Sequence, residues 1–372
     1  MHLPWCVRKC PYCDFNSHEL RGAAPYARYI DALLADLEDD LPLADGRVAD
    51  TVFFGGGTPS LCPPEELGRF LAGLAARLPL APDAEITLEA NPGTIEHGRF
   101  SEFAAAGVNR VSLGVQSFQP GLLQAIGRIH DAREAGLAIE ELARAGIDNF
   151  NLDLMYGLPG QSAAAAAADL EAALQAGPPH LSLYQLTLEP GTPFHRRPPE
   201  LPDEDSCWAM ECAATERLAA AGYRRYEVSA WARPGRECRH NLNYWSFGDY
   251  LGLGAGAHGK LTLSDGRVLR RRRRRRPLGW LEGPRLEGED RPGPEALVFE
   301  FMLNALRLVD GFSVESFESR TGLPVAAALP GLGEAERLGL LTASAAGRWT
   351  PTALGRRFLN DVQALFLPVG GA

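Results

Sequence analysis

Three cysteines stand within the first thirteen residues, at Cys6, Cys10 and Cys13, and they constrain this chain more than any other feature. Three residues separate the first two and two residues separate the last two. One short loop with that spacing can wrap its thiolates around three irons of a cuboidal iron–sulfur cluster. No fourth cysteine follows nearby, so one iron of such a cluster keeps an open coordination position. The alternative is a zinc knuckle completed by His2 or His18. Zinc sites usually come as one close cysteine pair with a distant second pair. Here Cys207 and Cys212 are too widely spaced, and Cys62 and Cys238 stand alone.

With 372 residues the chain is long enough for two or three structural units. Apolar residues make up 45% and charged residues 23%, an ordinary globular composition. No apolar run approaches the ~20 residues that span a bilayer. Only five residues precede Cys6, too few for a signal peptide. Seven cysteines, an odd number with three crowded together, do not read as a secreted disulfide framework, so a cytoplasmic location is expected. A net charge of −10 argues against general binding of nucleic acid or anionic membrane. The exception is the unbroken run Arg270–Arg276. Such a density of like charge reads first as a solvated loop, and second as a peripheral contact for anionic lipid or a partner's acidic face.

Hydrophobic periodicity predicts helices over 24–40, 64–78, 98–106, 131–145 and 162–175. Between them lie apolar runs at 51–54, 86–90, 110–115, 150–155 and 181–187, read as buried strands. Strand and helix alternate about every thirty residues, the pattern of a parallel sheet wound with crossover helices. In such folds chemistry gathers at the carboxyl ends of strands. Gly55-Gly56-Gly57-Thr58, Glu89, Gln116 and Asp153 all fall at those places.

The cysteine loop resembles the signature of the radical S-adenosylmethionine (radical SAM) superfamily. That resemblance implies a partial (β/α)6 barrel, with S-adenosylmethionine chelating the open iron. Members normally carry a full strand before the first cysteine. This chain begins Met1-His2-Leu3-Pro4-Trp5, so most of that strand is expected to be missing, leaving an unpaired sheet edge. Four stretches narrow the resemblance: Gly55–Ser60, Leu88–Pro92, Leu113–Phe118 and Leu152–Gln161. They are similar to the oxygen-independent coproporphyrinogen III oxidase family, and within it to the haem chaperone branch. The oxidases have a further cysteine two residues after the third cluster cysteine, where this chain has Phe15.

Carried over residue by residue, the resemblance implies Cys6, Cys10 and Cys13 as ligands of a [4Fe-4S] cluster. It implies Tyr12, Gly56, Gly57, Thr58, Glu89 and Asp153 as S-adenosylmethionine contacts. Gln116 and Arg128 match residues that hold a second cofactor molecule in the oxidases, and Gln185 and His258 align with cofactor-lining positions. The stretch His240-Asn241-Leu242-Asn243-Tyr244-Trp245 resembles the box that marks the chaperone branch, which makes His240 a candidate haem contact and Cys238 a second one. The GxGxxG string at 254–259 lacks the strand–turn–helix setting of a dinucleotide site, because 260–263 reads as a strand. It is expected to be a loop over the cofactor pocket.

Three segments are expected: a barrel over 1–190, a connecting α+β segment over 191–290, and a winged-helix-like unit over 291–372. In the last, helices over 296–308, 314–321 and 329–338 precede a hairpin at 340–343 and 348–350 and a final helix over 352–366. From Asp290 onward seven arginines and no lysine face nine acidic residues, a poor match to nucleic-acid phosphates. The resemblance therefore implies a haem chaperone, with haem, a respiratory haemoprotein acceptor and a second copy of the chain as candidate partners. The alternative is an oxygen-independent coproporphyrinogen III oxidase.

Overall fold

The computed structural model describes residues 1–94 and 99–368. Its central feature is an eight-stranded sheet. Six strands run parallel: β1 (His2–Leu3), β2 (Ala49–Gly56), β3 (Leu80–Ala90), β4 (Arg110–Gln116), β5 (Phe150–Tyr156) and β6 (His180–Gln185). Two more, β7 (Arg224–Glu227) and β8 (Ala230–Ala232), complete the order β1-β2-β3-β4-β5-β6-β8-β7, with β8 antiparallel to β6. Helices α1 (Tyr26–Ala44), α2 (Pro64–Ala75), α3 (Arg99–Ala105), α4 (Ala132–Arg144) and α5 (Ala163–Ala176) connect the parallel strands. The expected partial barrel is therefore present. Gly98, where the sequence reading starts the third helix, lies outside the described residues.

The period-2 alternation of the strands sorts their residues onto two faces. Leu88, Val111, Leu113, Val115, Leu152, Leu154, Leu181 and Leu183 join the main hydrophobic core with the helices. Their neighbours Glu89, Arg110, Ser112, Asn151, Asp153, His180 and Ser182 line a cavity inside the barrel. Helix starts are fixed locally. Asp131 and Glu134 form a capping box on α4, and the Ser162 side chain accepts from Ala165 N on α5.

At the other edge, β1 pairs with β2 only at Gly55 and Gly56. Among the described residues no strand covers Ala49–Phe53 on that side, and a groove runs there instead.

Beyond β6 lie two elements that periodicity did not reveal, α6 (Glu204–Ala220) and the short helix α7 (Arg239–Trp245). A separate three-stranded sheet follows: β9 (His258–Thr262), β10 (Val268–Arg273) and β11 (Leu286–Asp290). It corrects the reading of the arginine run in part, since Arg274–Arg276 lie past the strand and are exposed as expected. Arg270–Arg273 are not a solvated loop but the end of β10, and alternation sends every second guanidinium inward. Arg273, only 2% exposed, donates to Asp36 Oδ1 at 2.8 Å and Asp40 Oδ2 at 2.7 Å, both on α1. Arg271 also pairs with Asp40, Arg270 pairs with Glu300, and Arg272 reaches Asp290 at 3.0 Å. Cross-strand and helix carboxylates absorb the charge of Arg270–Arg273, which leaves Arg274–Arg276 as the exposed basic part of the run. No helix among the described residues is long and apolar enough to cross a membrane.

The last part of the chain builds a second core. Helices α8 (Pro294–Ala305), α9 (Val314–Thr321) and α10 (Leu329–Arg337) pack with β12 (Phe312–Ser313) and the hairpin β13 (Leu341–Ala343)/β14 (Arg348–Pro351). Phe301 anchors it, with Phe247, Phe312 and Phe317 at ring distances of 5.7, 5.1 and 5.0 Å. The predicted final helix is broken at Phe358, into Ala353–Arg357 and Leu359–Ala364.

Candidate functional site

Two cavities adjoin at the carboxyl end of β2: one of about 440 Å³ inside the barrel, and one of about 1070 Å³ that is the groove along the uncovered edge of β2. The smaller collects Cys6, Cys10 and Cys13 with Tyr12, Gly57 and Thr58. It also takes Glu89, Gln116, Arg128, Asp153 and Gln185. The larger takes Gly56, His240 and His258, with Tyr244 and Tyr250. Phe15, Phe53 and Glu89 line both. The resemblance grouped Gly56 and His258 with the cofactor-lining residues; the structure puts these two in the larger cavity, beside His240.

The cysteine loop is held at several points. Cys13 N donates to Cys10 O at 3.2 Å, and Cys13 Sγ lies 3.6 Å from Ser17 Oγ. Burial pushes the Cys6 thiol up. Arg128 Nη1 lies 3.7 Å from Cys10 Sγ, while its Nη2 donates to Asn91 Oδ1 at 2.6 Å and to Gly114 O. A Cβ at Gly114 would stand 3.0 Å from Arg128 Nη2 and 2.9 Å from Asn91 Oδ1, so it would displace both side chains from this arrangement. A bulge between Gly114 and Gln116 puts Gln116 at φ +67°, a strained conformation of the kind found at ligand sites. Gly57 is required, because a Cβ would meet the backbone of Trp5, with O at 2.5 Å.

The carboxylates sit deeper. Glu89 accepts from Gly56 N at 3.1 Å, and burial, with the charge of Asp153 adding to it, pushes its carboxyl up to about 7. Burial also raises Asp153, against hydrogen bonds from Asn151 Nδ2 at 2.7 Å and Ser112 Oγ at 3.1 Å. Asn151, Ser112, His180, Arg110 and Glu85 escaped the sequence reading. For the first four the signal was available: in 110–114, 151–153 and 180–184 polar and apolar residues alternate strictly, so these strands have a polar inner face.

His240 stacks on Phe53, with ring centres 4.3 Å apart and planes 15° apart, and meets Tyr244 edge-on at 4.6 Å. Burial, helped by the Met1 ammonium and then Arg110, holds its imidazole down to about 3, so the ring is neutral at ordinary pH. Glu85 on β3 anchors the start of α7, accepting from Arg239 N and His240 N, both at 3.1 Å. The Cys238 thiol also points at Glu85 Oε1, 3.5 Å away. Cys238 is buried and its thiol is pushed up to about 11 by burial, a poor setting for a metal thiolate.

Residues 1–173 match the model of the radical SAM superfamily, and residues 294–358 match that of the HemN C-terminal domain. The haem chaperone HemW of Escherichia coli K12 is 50% identical over 367 residues, covering 99% of this chain and 97% of that protein. The chain belongs to the HemW family. The HemW of Haemophilus influenzae is 44% identical over 371 residues, with the same coverage of 99% and 97%. The solved structure of coproporphyrinogen III oxidase (HemN) from Escherichia coli, described as a radical SAM enzyme, matches with a TM-score of 0.81 at 22% identity. It covers 98% of this chain and 88% of that one, which shows the shared fold.

Membership of the HemW family and the radical SAM superfamily implies a [4Fe-4S] cluster, and the donor set fits one. Three thiols face one cavity beside a guanidinium, and Arg128 Nε is buried without a hydrogen-bond partner. Three thiols that each hold a different iron need not converge on one point. A zinc knuckle fits poorly, because both candidate fourth ligands are engaged with Asn16. His2 Nε2 bonds Asn16 O at 2.9 Å, and His18 Nε2 lies 3.3 Å from Asn16 Oδ1.

Proposed function

We propose that this protein is a cytoplasmic haem chaperone that binds a [4Fe-4S] cluster, S-adenosylmethionine and haem, and delivers haem to respiratory haemoproteins. One observation carries the reading: the neutral imidazole of His240 lies on a cavity that adjoins the cysteine cavity through Phe53 and Phe15. A neutral imidazole has the free lone pair that haem iron requires.

In this reading Cys6, Cys10 and Cys13 hold the cluster, and Arg128 offsets its negative charge. S-adenosylmethionine takes the cavity walled by Tyr12, Gly57, Thr58, Glu89 and Asp153, with Gly56 donating its backbone N–H to Glu89. Ionised Glu89 accepts from an ammonium group, and the bare backbone at Gly57 admits close approach. Gln116, Arg128 and Gln185 complete the wall. Together the bound cluster and S-adenosylmethionine would supply one-electron reduction and a carbon radical. His240 holds the haem, with Tyr244 and His258 lining the same cavity. Phe15, 61% exposed at the junction, puts an inert ring where the oxidases carry a thiol.

The oxidase reading is favoured by the complete set of cofactor-cavity residues. Incubating the reconstituted protein without air with coproporphyrinogen, S-adenosylmethionine and a reductant separates the two readings. No conversion is expected, and protoporphyrinogen formation would replace the chaperone by an enzyme. His240→Ala is expected to weaken haem binding at least tenfold while iron and sulfide content stay unchanged. Haem affinity equal to wild type in a Soret titration removes His240 from the site.

A further inference from the structure

Helix α7 stands as a wall between the two cavities. Arg239, His240, Asn243 and Tyr244 line the larger, whereas Cys238 and Asn241 line the barrel interior with the cysteines. From Asn241 a continuous chain of side-chain hydrogen bonds crosses the barrel. Asn241 Nδ2 lies 3.4 Å from Tyr226 OH, and Tyr226 OH lies 2.8 Å from His180 Nε2. His180 Nδ1 then lies 2.7 Å from Asn151 Oδ1, and Asn151 Nδ2 lies 2.7 Å from Asp153 Oδ1.

The direction of every link is determined. Asn151 Nδ2 donates to Ser112 Oγ at 2.8 Å as well as to Asp153, so its Oδ1 is the acceptor. His180 Nδ1 must therefore carry the proton. His180 is fully buried beside Arg110 and neutral, so its Nε2 offers a lone pair to the Tyr226 hydroxyl. The Tyr226 oxygen in turn accepts from Asn241. Each donor thus points toward Asp153, an arrangement in which each bond polarises the next.

We propose that this chain couples the two sites: a ligand seated against Asp153 orders Asn241, and with it the neighbouring His240. S-adenosylmethionine then tightens haem binding, and haem tightens S-adenosylmethionine binding by the same factor. The inference rests on the reading above, which puts S-adenosylmethionine in the cavity of Asp153 and haem at His240. Asn241 and Tyr226 act here as positioning residues, since neither is required to touch haem. The carrier is a defined set of bonds, which a single hydroxyl can interrupt.

The test is a haem titration of the anaerobically reconstituted protein, with and without saturating S-adenosylmethionine. In the wild type, S-adenosylmethionine is expected to lower the haem Kd by about fivefold or more. Tyr226→Phe removes only the hydroxyl between Asn241 and His180 and is expected to bring the ratio close to one. Asn241→Ala, at a half-buried position, is expected to do the same and decides the matter if the first variant does not fold. A ratio near one in wild type that binds both ligands overturns the coupling, as does a variant that keeps the wild-type ratio. Failure of the wild type to bind haem at all removes the chaperone reading instead.

Discussion

Replacing Arg273 by leucine is expected to destabilise the protein by about 3–5 kcal/mol, because it leaves buried carboxylates without their cation. Asp36 and Asp40 are each only 1% exposed, and Arg273 donates to both. Arg271 still reaches Asp40 in the variant, so the uncompensated charge falls mainly on Asp36. Burial already raises the Asp36 carboxyl, and Arg273 opposes that shift. Without the guanidinium it rises further. An acid whose folded pKa is raised favours the folded state at low pH and loses that advantage as pH climbs through the raised value. The deficit in urea midpoint relative to wild type should therefore be largest near neutrality and shrink on acidification. Adding Asp36→Leu to the variant should recover much of the loss, since an apolar pair can replace a buried ion pair at little cost. A single variant within 1 kcal/mol of wild type at neutral pH would show that this ion pair does not hold α1 to β10. Asp36 Oδ2 also accepts from Gly254 N at 3.0 Å. Asn16, next to the cysteine loop, donates to Ala255 O at 3.0 Å and Arg275 O at 2.9 Å. The same network thus pins the loop of His258 against the cysteine loop.

Cys10→Ala should abolish cluster assembly. Wild-type protein reconstituted without air should carry about four irons and as many labile sulfides per chain, and the variant close to none. Cys10 is the thiol that Arg128 faces, so its loss removes both an iron ligand and the compensated negative charge beside a buried guanidinium. Haem binding at His240 should survive at the affinity wild type shows without S-adenosylmethionine, because His240 lines the other cavity. Cys207→Ser serves as the control, since Cys207 lines neither cavity. A full cluster in Cys10→Ala would dismiss the three-cysteine site.

Much of this molecule was legible before folding was considered. The alternation of apolar strands with amphipathic helices located five of the six parallel strands and their crossovers, because burial on one face writes its period directly into the chain. Polar residues at strand ends pointed to Glu89, Gln116 and Asp153. The inner faces were harder to see. Arg110, Ser112, Asn151 and His180 alternate with apolar neighbours, but only the closed barrel shows that they meet in one cavity. Cys238 looked like a ligand because its chemistry allows it, yet Glu85, more than 150 positions away, holds it in the wall.

By itself the sequence determined what depends on neighbours along the chain: the cysteine loop, the strand and helix periods and the small helical unit at the end. Tertiary structure alone decided which partners distant charges found. Seven consecutive arginines predict a solvated loop when only their mutual repulsion is counted. Folding sets Asp36, Asp40, Glu300 and Asp290 against the first four, Arg270–Arg273, and attraction at contact distance outweighs the repulsion there. The division of the candidate residues into two cavities is equally a tertiary result, because α7, which forms the wall, is placed by a glutamate on a strand far away in sequence.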